Sequence, residues 1–144
     1  MGYVAKSTMI TIFTDGGARG NPGPAGAGAA IFKGEKEIGH VSKFLGVQTN
    51  NWAEYEALRL ALLTAHKLLG SPVTQQVTVK MDSELIVKQM KGEYKVKDPE
   101  LKKQNERVRM LILESFPKIE FVHVRRELNT RADELANDAM DRGA

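Results

Sequence analysis

Met9-Ile10-Thr11-Ile12-Phe13-Thr14-Asp15-Gly16-Gly17 and Val77-Thr78-Val79-Lys80-Met81-Asp82-Ser83 share one build: a short run of β-branched and apolar residues that ends in an aspartate and a breaker. Both runs read as strands, with Asp15 and Asp82 at their ends. Between them, residues 16–28 hold six glycines and two prolines and read as a turn-rich stretch. Residues 29–32 and 38–45 then form a hairpin around Lys33-Gly34-Glu35-Lys36, which makes the first third a three-strand meander. Thr49-Asn50-Asn51 offers capping side chains before an apolar-periodic stretch that stops at Gly70-Ser71-Pro72, so the spacing predicts a helix over 51–69. Past the second strand, Asp82-Ser83 caps a helix to about residue 91. A loop at 92–99, a helix at 100–115, a strand at 119–124 and a last helix capped by Asn129 or Thr130 complete the chain. The order βββαβααβα predicts an α/β fold: a five-stranded mixed sheet with helices on both faces.

The 144 residues suit one domain, 1–144, with residues 1–8 a short tail. Hydrophobic residues at 42% and charged residues at 27% give no support to a disordered, collagen-like or coiled-coil chain. With no cysteine, disulfides, thiolate zinc sites, redox pairs and a cysteine nucleophile are excluded. The longest apolar run, 57–69, is broken by Arg59, Thr64, His66 and Lys67 and falls short of the ~20 residues of a membrane span. The N-terminus lacks an apolar signal core, so the expected compartment is the cytoplasm. A net charge of +3 fits solubility as well as an anionic partner and by itself decides nothing.

Four acids stand out by position. Asp15 and Asp82 end strands, whereas Glu54 and Asp133 fall in the first turns of helices. Leu58, Ala61, Leu62, Ala65 and Leu69 follow Glu54 at helical spacing, which puts this carboxylate in line with the core-facing stripe, where it needs a partner. Asp133 stands at the edge of a stripe made by Ala136 and Met140. Taken singly, each acid has an ordinary reading: a turn or cap for Asp15 and Asp82, a favourable dipole interaction for Asp133. Ligand sites of α/β sheets lie at the carboxyl ends of parallel strands, so Asp15 and Asp82 meet if their strands are adjacent and parallel. Carboxylates in contact repel one another, and hard oxygens without cysteine suit Mg²⁺ or Mn²⁺.

Four segments carry a family resemblance: Thr14-Asp15-Gly16-Gly17 with Gly20-Asn21-Pro22-Gly23-Pro24-Ala25-Gly26, Thr49-Asn50-Asn51-Trp52-Ala53-Glu54, Met81-Asp82-Ser83, and Arg131-Ala132-Asp133-Glu134-Leu135-Ala136-Asn137. In this order and spacing the chain resembles type 1 ribonuclease H from about Thr11 to Ala139. The resemblance implies a ribonuclease H-like fold, metal-dependent cleavage of the RNA strand of an RNA/DNA hybrid, and Asp15, Glu54, Asp82 and Asp133 as ligands of two divalent ions, Mg²⁺ with Mn²⁺ as substitute. It also implies that Gly16, Gly17 and Glu54 meet 2′-hydroxyls, that Asn21, Asn50 and Asn51 touch the minor groove, and that Thr49 helps hold a DNA phosphate. No obligate protein partner and no membrane are implied, and a monomer is expected.

The chain departs from many bacterial members in two places. Their loop histidine before the last aspartate is missing, and Arg125, Arg126 and Glu127 fill that loop instead. The nearby His123 falls inside a strand, where a structural histidine with its ring against a helix is expected. The stretch 92–101 is too short for the basic protrusion those members carry, which leaves Lys88, Lys91, Lys95 and Lys97 as a reduced phosphate-contact surface. With the four acids set aside, 14 acidic residues remain against 21 basic, which suits a polyanion. Trp52 reads as packing rather than base stacking. A non-catalytic hybrid or double-stranded nucleic-acid-binding module is the main alternative, but such a module gains nothing from acids beside a phosphate. A transposase or Holliday-junction nuclease would differ at the glycine-rich stretch and at Asn50-Asn51.

Overall fold

A computed structural model describes residues 9–144, so the expected tail at 1–8 lies outside the described residues. The strands are β1 (Ile10–Ala18), β2 (Gly23–Lys33), β3 (Lys36–Gln48), β4 (Val77–Met81) and β5 (Ile119–His123). The α-helices are α1 (Asn50–Leu69), α2 (Glu84–Met90), α3 (Pro99–Ser115) and α4 (Thr130–Arg142), with a 3-10 turn at Arg126–Leu128 before the last. Strand order across the sheet is β3-β2-β1-β4-β5. The first three strands form the antiparallel meander, and β4 and β5 join parallel to β1.

Residues paired across neighbouring strands point to the same face, so the register sorts the side chains. Ile10, Ile12 and Thr14 of β1 lie opposite Val77, Val79 and Met81 of β4, and the last two of these lie opposite Phe121 and His123 of β5. This face carries the main core, closed by Tyr55, Leu58, Ala61, Leu62 and Ala65 of α1 and by Val108 and Phe116 at α3. The opposite face of the meander is covered by α4 through Ala132, Leu135, Ala136 and Ala139, all buried.

The glycine-rich stretch is mostly strand, not turn. β1 runs on to Ala18, with Asp15, Gly16 and Gly17 paired to Gly28, Ala27 and Gly26 of β2. Gly16, Gly26 and Gly28 in this stretch serve close helix approach. A Cβ on Gly16 would collide with the carbonyl of Ala53 in α1, and one on Gly28 would collide with the carbonyl of Ala132 in α4. Both helices therefore lie against backbone. Because neither helix can retreat without losing buried contacts, Gly28→Ala should lower unfolding free energy by about 2–3 kcal/mol, read from urea denaturation.

Candidate active site

The register of β1 and β4 builds the site. Thr14 is the last β1 residue paired with β4, opposite Met81, so Asp15 and Asp82 come next at the carboxyl ends of two adjacent parallel strands. Both turn to the α4 side. Ser83, rather than Asp82, caps α2 by accepting from the Ile86 N–H at 3.3 Å, which leaves the Asp82 carboxylate to the cleft. Glu54 arrives from the other face. Because α1 begins at Asn50, Glu54 is its fifth residue and lies past the first turn, contrary to the sequence reading. It reaches the strand end where Gly16 has no side chain, and its Oε1 accepts the Gly16 N–H at 3.3 Å.

Asp15, Glu54 and Asp82 each offer a carboxylate oxygen within 4.8 Å of the others. Asp133, in the first turn of α4, lines the same open cleft of about 450 Å³ together with Asp15, Asp82, Gly16 and Gly17. Glu54 is only 7% exposed, and its Oε2 is buried without a hydrogen-bond partner. Burial first, then the neighbouring Asp82 and Asp133, push Asp15 up to about 7 against an ordinary 3.8, while a hydrogen bond with Glu54 works the other way. Burial and Asp15 hold Glu54 well above the usual carboxylate range, opposed by the Gly16 N–H. The cluster is thus a set of hard oxygens whose ionisation is costly without a cation. That donor set, with one orphaned buried oxygen, fits a divalent ion such as Mg²⁺ or Mn²⁺.

Asn50 lines the cleft, and Asn21 joins it in a chain of fixed polarity. Asn21 Oδ1 accepts the Asn50 N–H at 3.0 Å, and Asn50 Oδ1 accepts the Ala18 N–H at 2.8 Å. Their carbonyl ends are used, so their amide NH₂ groups remain as donors. Thr49 caps α1 by accepting from the Trp52 N–H at 3.2 Å, and Asn51 and Trp52 border a neighbouring hollow with Asn21 and Thr49. Trp52 packs on the core as expected.

The four lysines are not in the acid cleft. Lys88 lies 3.6 Å from Glu84 and over the Tyr94 ring, and Lys91 lies 3.7 Å from Glu93. Lys95 and Lys97 border a depression of about 550 Å³ with Lys102 and Arg109, and among the described residues neither has an ion pair. Of the loop residues, only Arg126 lines the acid cleft, with its guanidinium 4.0 Å from Asp133. Arg125 instead lies 3.6 Å from Glu127.

His123 departs from the sequence reading. It ends β5, which is an edge strand, and its side chain is 42% exposed with Nδ1 4.0 Å from Glu84 of α2. Its ring faces a helix, as expected, but is only partly covered, because β5 lies at the sheet edge and strand order is not written in the sequence. Its ring is on the face opposite Asp15 and Asp82. Sequence reasoning missed Arg19, which lines the cleft, contacts Asp141 at 2.7 Å and donates to Asn137 Oδ1 at 3.4 Å. Its only signal was a lone cation inside the glycine-rich stretch.

The sheet order and its central acids define the ribonuclease H-like class of nucleic-acid-processing folds. Residues 13–139 match the family described as reverse transcriptase-like. LC11-RNase H1, isolated from compost, is similar in structure with a TM-score of 0.87 and 49% identity, over 94% of this chain and 97% of that one. Ribonuclease H of Syntrophotalea carbinolica is 30% identical over 94% of this chain and 93% of its own. The bifunctional protein Rv2228c of Mycobacterium tuberculosis is 42% identical over 94% of this chain, which spans 36% of that longer protein. The chain belongs to the type 1 ribonuclease H family.

The raised Asp15 value has a stability consequence without metal. Between pH 3.8 and about 7 the folded chain binds more protons than the unfolded one, so stability is full below that window and falls as pH rises through it. In chelator, Asp15→Asn should therefore raise Tm by about 5 °C or more at pH 8 and leave it nearly unchanged at pH 4, read by calorimetry.

Proposed function

We propose that this chain is an endoribonuclease that hydrolyses the RNA strand of RNA/DNA hybrids as a monomer, with two Mg²⁺ or Mn²⁺ ions held by Asp15, Glu54, Asp82 and Asp133. The observation that carries this reading is the trio of carboxylate oxygens within 4.8 Å beside a strand edge made of glycine. A relative at 48% identity, LC11-RNase H1, has been solved in complex with an RNA/DNA hybrid, which supports the substrate. Divalent cations bound by these acids supply water activation and charge stabilisation at the leaving oxygen.

The chain's own residues do the rest. Asp15 and Asp82 present oxygens from adjacent strand ends, and Glu54 closes the group from α1 while the Gly16 N–H orients it. Gly16 and Gly17 let the backbone come close to a ribose, and the 2′-hydroxyl, present only in RNA, is displayed in the shallow minor groove of the hybrid. The amide donors of Asn21 and Asn50, joined by Asn51, meet the acceptors that every base pair offers there, which makes recognition tolerant of sequence. Thr49 helps hold a phosphate of the DNA strand at the α1 N-terminus. Arg126, beside Asp133, puts a cation where the product phosphate leaves, in place of the missing histidine. Lys88, Lys91, Lys95 and Lys97 attract the backbone of the same duplex further along. Among the described residues no helix is long and apolar enough to cross a membrane.

Matched RNA/DNA, RNA/RNA and DNA/DNA duplexes, labelled on each strand, test this reading. The expected result is cutting confined to the RNA strand of the hybrid, with Mg²⁺ or Mn²⁺ and not in excess EDTA; robust cutting in EDTA would refute it. Hybrid affinity should fall steeply with salt. Changing all four lysines to Ala should reduce the slope of log affinity against log salt by about 2–4, and an unchanged slope removes them from the interface.

A further inference from the structure

Among the described residues, three of the four α-helices begin with a side chain that accepts from their own amides: Thr49 for α1, Ser83 for α2 and Asp98 for α3. Asn129 occupies the same position before α4, a residue type well suited to capping, yet its side chain makes no bond to that helix. It points into the sheet instead. Its Nδ2 donates to the carbonyl of Thr14 at 2.9 Å, and the residue is 1% exposed, with Oδ1 buried and unpartnered. Burying an amide with one atom unsatisfied and forgoing a cap both weaken the fold. The arrangement therefore needs a return other than stability.

Its position shows what that return is. Thr14 is the residue before Asp15, and the main-chain carbonyl of Asn129 accepts the Asp133 N–H at 3.1 Å. One residue thus joins the strand of Asp15 to the helix of Asp133 through two short hydrogen bonds. The contacts at Gly26 and Gly28 fix how closely α4 lies on the sheet. Bonds from Arg131 to Glu37 and from Ser42 to Leu135 tie α4 to β3, and the bond to Thr14 ties the start of α4 to the strand that carries Asp15. We infer that Asn129 is a positioning residue that sets the separation of Asp15 and Asp133 across the cleft. This rests on the reading of the cleft as a hydrolytic site.

Ser42 provides the control. Its Oγ donates to the Leu135 carbonyl at 2.7 Å and accepts from Arg142 at 3.1 Å, tying the middle and the C-terminal end of α4 to β3. Multiple-turnover cleavage of an RNA/DNA hybrid would be measured for wild type, Asn129→Ala and Ser42→Ala, each at the same interval below its own Tm. If Asn129→Ala does not fold, Asn129→Leu, similar in shape and lacking only the polar atoms, takes its place. Asn129 variants should lose about 10- to 100-fold in kcat with KM within about twofold of wild type, and need more Mg²⁺ for half-maximal rate. Ser42→Ala should lose Tm and keep kcat. The inference is overturned if Asn129 variants keep wild-type kcat and Mg²⁺ dependence, or if Ser42→Ala loses as much kcat. Wild type that does not cut the hybrid refutes the hydrolytic reading instead, and Mn²⁺ binding followed by paramagnetic resonance then decides Asn129: weaker in its variants alone if it positions Asp133, equal to wild type if it does not.

Discussion

The parallel pairing of β1 with β4 is the constraint on which the site depends. With Thr14 opposite Met81, the next residues of the two strands, Asp15 and Asp82, must emerge side by side at the sheet's carboxyl edge. A slip by one residue would turn one of them to the other face. The register is secured by the apolar residues behind it, since Ile10, Ile12, Val77 and Val79 fill the same core that α1 closes. Packing energy thereby brings together charges that would separate if free.

The remaining acids come from helices on opposite faces, and each helix reaches the edge because backbone replaces side chain at the contact. Gly16 lets α1 in, and Gly26 and Gly28 let α4 in. The result is a cleft in which burial and mutual repulsion push Asp15 up to about 7 and hold Glu54 well above the usual carboxylate range. Elsewhere the chain settles its buried charge internally, as with Glu56, which Arg59 grips at 2.7 and 2.9 Å and Gln104 contacts at 3.2 Å. Among the described residues the carboxylates of Asp15 and Asp82 have no such arginine. Their unsettled charge separates a site awaiting a cation from a structural ion pair.

Much of this was legible in the sequence. The two strands that lead to Asp15 and Asp82, the long helix carrying Glu54 in its apolar stripe and the late helix carrying Asp133 follow from periodicity and punctuation; the structure brings Asp15, Glu54 and Asp82 together and has Asp133 line the cleft beside Asp15 and Asp82. What was not legible depends on tertiary contact. Glycines at 16, 26 and 28 read as a turn because their service to helix packing is invisible until the helices are in place. His123 read as packed because a strand's place in the sheet is set by pairing, and β5 proves to be the edge. Asn129 read as a cap because local sequence offers the capping bond and cannot reveal the competing carbonyl of Thr14. Arg19 gave only its charge, since Asn137 and Asp141 lie far along the chain.

The fold concentrates negative charge at Asp15, Glu54 and Asp82, a donor set suited to a divalent cation. Titration calorimetry of the substrate-free protein with Mg²⁺ at neutral pH tests this most directly, with wild type and Asp82→Asn compared. The expected result is saturable binding to wild type, displaced by Mn²⁺ and abolished or strongly weakened in Asp82→Asn. Absence of saturable binding to wild type, or equal affinity in the variant, would contradict it.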